Sequence, residues 1–418
     1  MRALALAAVL AAVSLAGPRA HAAEEDDTEA WESPGWGWGG LPAVNFSTDE
    51  GLGGGLIGTV YHYDGETAPY RTAISFLTFV TTRNIHYHRV DVDALGLANG
   101  KLRMDTRTEF NATRTVNFCG FGMDVDCDPA VAEAAADSEG LEGVAREDFV
   151  RQFYLARVIR PRGWVNARIR LNEDDDRKVE LMAGWRAELL LPGDFGEPGP
   201  YPGSLYAEIF PQGEQGLLSI LQTGVMYDSR DNEPAPRKGA WLETSLRSGT
   251  RVWGSRWEHV GFNGIARGYV PIIGEGKLTL ASRGIVDLLV GDAPIFELGR
   301  TGGSKPVDFL GGEEAGRGIR ASRFLGKVKV LGQPELRWAF VEFEAGPTWE
   351  LTLVGFVDVG WVATDLASLD ELGRAPMVGE GGGLRFAINQ NFIVRADVGV
   401  SAVEDYEPGV YLNINHLF

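Results

Sequence analysis

Apolar and polar residues alternate with a period of two in segment after segment of this chain. From Leu351 to Ala363 one face reads Leu351, Leu353, Gly355, Val357, Val359 and Trp361, while the opposite face carries Thr352, Phe356 and Asp358. Phe392, Val394, Ala396, Val398 and Val400 alternate with a set that includes Arg395 and Asp397. Leu384, Phe386 and Ile388 alternate with Arg385 and Asn389, and Leu102, Met104, Thr106, Thr108 and Phe110 with Arg103, Asp105, Arg107 and Glu109. Side chains on a strand point to opposite faces in turn, so each segment predicts a strand with an apolar side and a charged side. A soluble β-sandwich shows the same alternation, but with shorter strands. The length of these segments, with both signs of charge on one face, predicts strands that meet hydrocarbon outside and an aqueous interior inside.

Short polar connections fall at 64–69, 98–101, 172–178, 232–239, 274–277, 345–349 and 389–391. Longer glycine- and acid-rich ones fall at 119–148, 192–216, 298–328 and 364–380. The two kinds broadly alternate, as the periplasmic turns and extracellular loops of a bacterial barrel do, and the strands between them number about sixteen. The predicted fold is all-β, a transmembrane antiparallel β-barrel over 39–418. Before it come a short periplasmic segment, 23–38, and a leader, 1–22. Arg2, an alanine-rich apolar run from Ala3 to Ala16 and the triplet Ala20, His21, Ala22 form the pattern of a cleaved secretory signal. Beyond that leader no apolar run approaches the ~18 residues of a helical span, so a membrane form of the mature chain is predicted to cross by strands.

Charge and cysteine content sharpen this. The formal charge is −19, and it becomes −21 once Arg2 and Arg19 leave with the leader, which argues against a nucleic-acid partner. The chain's two cysteines, Cys119 and Cys127, bracket one loop segment, and outside the reducing cytoplasm a loop-closing disulfide is expected of them. Enzymatic chemistry finds little support. His86 and His88 sit two apart on one strand face with Asp91 and Asp93 on the other, and no spacing fixes a nucleophile beside a base. Neither Asp174 to Asp176 nor the acidic stretch from Asp124 to Asp148 has the regular spacing of a calcium loop. No catalytic residue, metal site or cofactor is expected.

Four segments resemble the BamA/TamA outer-membrane proteins, also called bacterial surface antigens. Val225, Met226, Tyr227, Asp228, Ser229, Arg230, Asp231 and Asn232, with Pro236, Lys238 and Gly239, resemble that family's Tyr-Asp-x-Arg-Asp strand and turn. Gly311, Gly312, Gly316, Arg317, Gly318, Ile319 and Arg320 resemble its Arg-Gly motif at the tip of the sixth extracellular loop. Gly355 to Gly360 is similar to its Phe-x-Asp-x-Gly strand, and the alternating run from Val410 through Tyr411 to Phe418 is similar to its C-terminal assembly signal. Gly51 to Gly55 is weakly similar to an early strand. Ile319 stands where the family has an aromatic, and Gly316 where it has a hydrophobic residue.

The resemblance implies a barrel whose sixth loop folds into the lumen, with Arg317 paired to Asp358. The alternation independently places Asp358 inward, and a guanidinium forks onto a carboxylate as no lysine does. Gly316 and Gly318 would let the backbone turn at that contact. It also implies a role in assembling or translocating protein or lipid at the outer membrane. The partners it implies are outer-membrane lipid, the barrel assembly machinery during biogenesis, and a separate periplasmic protein in place of the family's POTRA domains. A passive diffusion pore and a surface adhesin are the alternatives the residues leave open.

Overall fold

The computed structural model describes residues 33–47, 51–67, 69–174, 176–344, 348–388, 392–414 and 416–418. The predicted leader lies outside them. The alternating segments form β1 (Gly35–Ser47), β2 (Gly51–Tyr63), β3 (Thr72–Thr81), β4 (His86–Leu97), β5 (Leu102–Asn117) and β6 (Leu155–Arg170). Next come β7 (Lys178–Pro192), β8 (Gly216–Asp228), β9 (Gly239–Gly249), β10 (His259–Ile273) and β11 (Leu278–Gly291). The last five are β12 (Val328–Glu344), β13 (Thr348–Ala363), β14 (Met377–Ile388), β15 (Phe392–Val400) and β16 (Gly409–Ile414). β1 thus begins at Gly35, inside the segment expected to precede the barrel.

Each strand pairs antiparallel with the next, giving one 16-stranded sheet in sequence order. No ladder joins β1 to β16 among the described residues. Strands of this length satisfy nearly every backbone amide inside the sheet, the condition for crossing hydrocarbon. The interruptions have local causes. Pro161 has no N–H, and the β6–β7 ladder skips from Ile159 to Arg162. Pro334 does the same between β12 and β13, where pairing jumps from Gly332 to Glu335.

Burial is inverted relative to a water-soluble protein. On β12 to β15 the outward Leu336, Trp338, Leu353, Leu384 and Val398 are 45–49% exposed, whereas the inward Glu335, Asp358, Arg385 and Asp397 are 0–1% exposed. Only a bilayer outside makes that arrangement favourable. Trp338 and Phe340 on β12, and Phe343, Trp349 and Phe386 at the short-turn end of β12 to β14, form contacting aromatic pairs, as at a membrane interface.

The connections after even-numbered strands gather at one end of the barrel, and those after odd-numbered strands, the longest among them, at the other. Counting only the latter, loop 3 (118–154) carries helices α1 (Pro129–Ser138) and α2 (Gly143–Gln152), and loop 4 (193–215) carries α3 (Leu205–Ile209). Loop 6 (292–327) carries one turn of helix, α4 (Ile295–Leu298), and then enters the barrel. Its Val307, Phe309, Leu310, Ala315, Ile319 and Phe324 pack on inward-facing Met182, Met226, Trp241, Ile265, Ile285 and Leu331. The lumen is therefore not charged throughout, as the alternation suggested. A buried apolar core lies inside it, and each side chain so buried contributes about 1.5–3 kcal/mol.

Candidate functional site: the loop-filled lumen

Arg317 sits at the tip of loop 6, fully buried. Its Nη2 and Nε donate to the two carboxylate oxygens of Asp358 at 2.8 and 3.0 Å, and its own backbone N–H donates to Asp358 Oδ2 at 2.9 Å. Nη1 reaches Glu335 Oε1 at 2.7 Å and Asp397 Oδ2 at 3.4 Å. The guanidinium lies 3.4 Å from the centroid of the Phe356 ring. Strands β12, β13 and β15 thus each supply one carboxylate to a single cation. Further arginines balance the acids: Arg385 binds Asp397 at 2.6 Å, and Arg337 binds Glu335 at 2.8 Å.

The backbone makes this approach feasible. Gly318 has φ +92°, and a Cβ there would lie 2.5 Å from backbone atoms of Val400 on β15. Gly399, at a buried position of β15, lacks a side chain for the same reason, since a Cβ on it would come within 2.8 Å of the Arg317 carbonyl carbon. Gly316 and Ile319 flank the contact, and Ile319 is 1% exposed among the lumenal apolar residues. Tyr411 on β16 accepts a hydrogen bond from Gly318 N at 2.9 Å. A residue singled out for an assembly signal thus touches the loop tip.

The ladder of β16 stops at Ile414, whereas the alternation was read through to Phe418. Phe418 lies inside the barrel against Tyr269 and Ala281, and its backbone oxygen accepts from Arg337 Nη2 at 3.0 Å.

A second anchor, unforeseen from sequence, holds the entering limb of loop 6. Glu297 of α4 accepts from Arg186 and, at 2.7 Å, from Arg247 Nε. Arg247 also forks onto Asp287 at 2.8 and 2.9 Å. Lys329 donates to Asp287 at 2.9 Å and to the carbonyls of Arg300 and Glu297 at 2.7 and 3.2 Å. Arg300 reaches Glu188 at 2.9 Å, and Ser304 binds Glu243 through both N–H and hydroxyl at 2.6 Å. The one available hint was an acid inside the apolar run Ile295, Phe296, Glu297, Leu298.

Other expected groups fall elsewhere. Asp228 and Arg230 pair at 2.7 Å, and Asp231 accepts from the backbone N–H groups of Asn232, Arg237 and Lys238, which builds the β8–β9 turn. Cys119 and Cys127 are disulfide-bonded, with Cα atoms 5.4 Å apart. His86 pairs with Asn84 and His88 with Thr78, while Asp91 and Asp93 pair with Arg107 and Arg103. These four do not converge on a common point. Among the described residues no three His, Cys, Asp or Glu side chains gather to hold a metal.

A sixteen-stranded sheet with an apolar exterior and a charged interior, filled by one of its own loops, defines an outer-membrane β-barrel with an internal plug. The chain belongs to the Omp85 superfamily, whose domain matches residues 169–414. It is similar in fold to BamA from Haemophilus ducreyi lacking POTRA domains 1–3, at TM-score 0.52 and 11% identity over 92% of this chain and 70% of that one. CdiB from Escherichia coli is similar at TM-score 0.59 and 12% identity over 91% of this chain and 61% of that one. CdiB from Acinetobacter baumannii is similar at TM-score 0.50 and 12% identity, with 91% and 59% covered. The chain therefore spans about six tenths of the two CdiB chains. No curated protein matches it. The short turns face the periplasm and the long loops the exterior.

Proposed function

We propose that this outer-membrane barrel assembles or translocates polypeptide or lipid, with loop 6 as a plug that seats and unseats. The observation that supports this reading is the Arg317 cluster, where one loop cation is held by three fully buried carboxylates. A buried ion cluster adds little net stability, but removing one partner leaves a stranded charge. Such a contact is poor glue and good registration: the loop tip is either fully home or displaced. A passive pore has no use for an interior filled by apolar and charged loop residues. The reading also assigns a periplasmic partner protein that delivers cargo, and the barrel assembly machinery as a partner during biogenesis.

Two measurements test it. Planar-bilayer recordings of the wild type are expected to show small, erratic currents that grow when residues 299–327 are deleted. A large steady conductance unaffected by that deletion means a diffusion pore instead. Cross-linking in intact cells is expected to capture a protein or lipid cargo or a periplasmic protein, and its clean absence from all fractions refutes the transport reading.

A further inference from the structure

The exit limb of loop 6, residues 321–326, has neither helix nor strand structure. Arg323 pairs with Glu404 at 3.6 Å and Leu325 packs in an apolar cluster with Phe118 and Leu298, and the other hold on this limb is the small ring closed by Cys119 and Cys127 in loop 3. Gly122 N donates to Leu325 O at 2.8 Å. Arg323, buried, donates to Cys127 Sγ at 2.7 Å and to Asp126 Oδ1 at 3.3 Å. Just before the ring, Asn117 donates to Ala321 O at 2.9 Å. Met123 and Val125 pack on the apolar cluster that contains Phe309, Leu310, Ile319 and Phe324. The ring is itself tied to the wall and to loop 7 (364–376), since Val362 N donates to Met123 Sδ at 3.2 Å and Asp124 pairs with Arg374.

Gly122, Asp126 and Cys127 lie at opposite sides of one ring and meet Leu325 and Arg323 of loop 6, so these contacts can form together only if the ring holds one shape. An open chain of this length has many conformations, and cross-linking its ends removes most of them. We propose that the Cys119–Cys127 ring is an external clasp on the plug: closed, it holds the exit limb of loop 6 in place and keeps the extracellular mouth of the barrel shut. Opening the disulfide frees residues 321–326 while leaving the Arg317 cluster chemically intact. The proposal rests on the reading of loop 6 as a plug for its effect on conductance, but not for its effect on the loop itself.

The test compares wild type, wild type reduced by dithiothreitol after folding, the C119S/C127S double variant and the deletion of residues 299–327, each in lipid vesicles and in planar bilayers. Trypsin cleavage after Arg323 reports the loop directly. Cleavage is expected to be slow in the oxidised wild type and many-fold faster in the reduced protein and the double variant, with bilayer conductance rising toward that of the deletion. Should the double variant fail to fold, as shown by loss of heat-modifiable gel mobility, the reduced wild type gives the same readout. Unchanged protection of Arg323 in folded, fully reduced protein overturns the clasp. If the deletion itself does not raise conductance while reduction exposes Arg323, the clasp stands and the plug reading fails.

Discussion

Asp91 on β4 and Asp358 on β13 occupy equivalent positions in the pattern: each faces the lumen, and each pairs with arginine. Their surroundings differ. The Asp91 side chain is 25% exposed beside Arg107 and Arg89, whereas Asp358 is 0% exposed beneath Arg317. Likewise Asp93 and Arg103 are each 19% exposed, while Glu335 and Asp397 are fully buried. Loop 6 packs its apolar residues and tip against β7 to β15 and leaves Asp91 and Asp93 on β4 partly exposed, although Glu109 on the neighbouring β5 is buried against Arg162. The same alternation of the same residue types therefore yields solvated pairs on one wall and a desolvated cluster on the other. Charge pairing inside a barrel is a different interaction on each side of its plug.

The sharpest way to break this comparison is to remove one acid from each wall. Asp358→Ala removes the forked partner of Arg317 and the acceptor of its backbone N–H, leaving it only Glu335 and Asp397 in a closed site, and is expected to cost about 3–5 kcal/mol, read by urea unfolding in lipid vesicles. Asp91→Ala is expected to cost about 1 kcal/mol or less. Equal costs would mean that loop 6 does not desolvate the β12–β15 wall. Next in size, Gly399→Leu drives a side chain into the Arg317 backbone and should cost about 1–3 kcal/mol with release of the loop tip. Gly355→Leu, where a Cβ meets nothing within 4 Å, should leave unfolding unchanged.

Glu297→Gln tests the second anchor. It leaves Arg186 and Arg247 short of a counter-charge, at a cost of about 1–3 kcal/mol. Proteolytic nicking between 299 and 308 should then exceed nicking near Arg317. On the open wall, Arg107→Gln should leave stability nearly untouched and shift the reversal potential of a 299–327 deletion pore toward cation preference.

The smallest effect concerns Glu214 of loop 4, which accepts from Ile295 N at 2.9 Å. Burial pushes its carboxyl up from 4.5 to about 7. Between those values the seated loop keeps a proton that the released loop has lost, so its hold on α4 is full below pH 4.5 and weakens as pH rises through 7. Hydrogen exchange at Ile295 should accelerate across that window in the wild type, and the E214Q variant should abolish the dependence.

Much of the wall was legible because a strand's periodicity is a local property. Which of Leu353, Val354, Gly355 and Asp358 faces lipid follows from counting by two, and the outcome agrees on β5 and on β13 to β15. Arg317 and Asp358 were nameable for a different reason, the resemblance of Gly311 to Arg320 and Gly355 to Gly360 to a known loop and strand. Glu335, and the whole of the Glu297–Arg247–Asp287–Lys329 network, stayed hidden, because inward-facing charges look alike until something covers them. Inward Met182, Met226 and Ile265 were hidden too, since an apolar residue on a lumenal face gives no sign of the loop that will meet it.

Sequence alone thus determined the sheet: antiparallel strands, two unlike faces, long and short connections in alternation, and the residues able to bend at the loop tip. Only the tertiary structure decided where loop 6 lies, which wall it dries, and which charges lose their water. Facing direction is set by a residue's own neighbours along the chain, whereas desolvation depends on a segment dozens to hundreds of residues away, and no periodicity carries that distance.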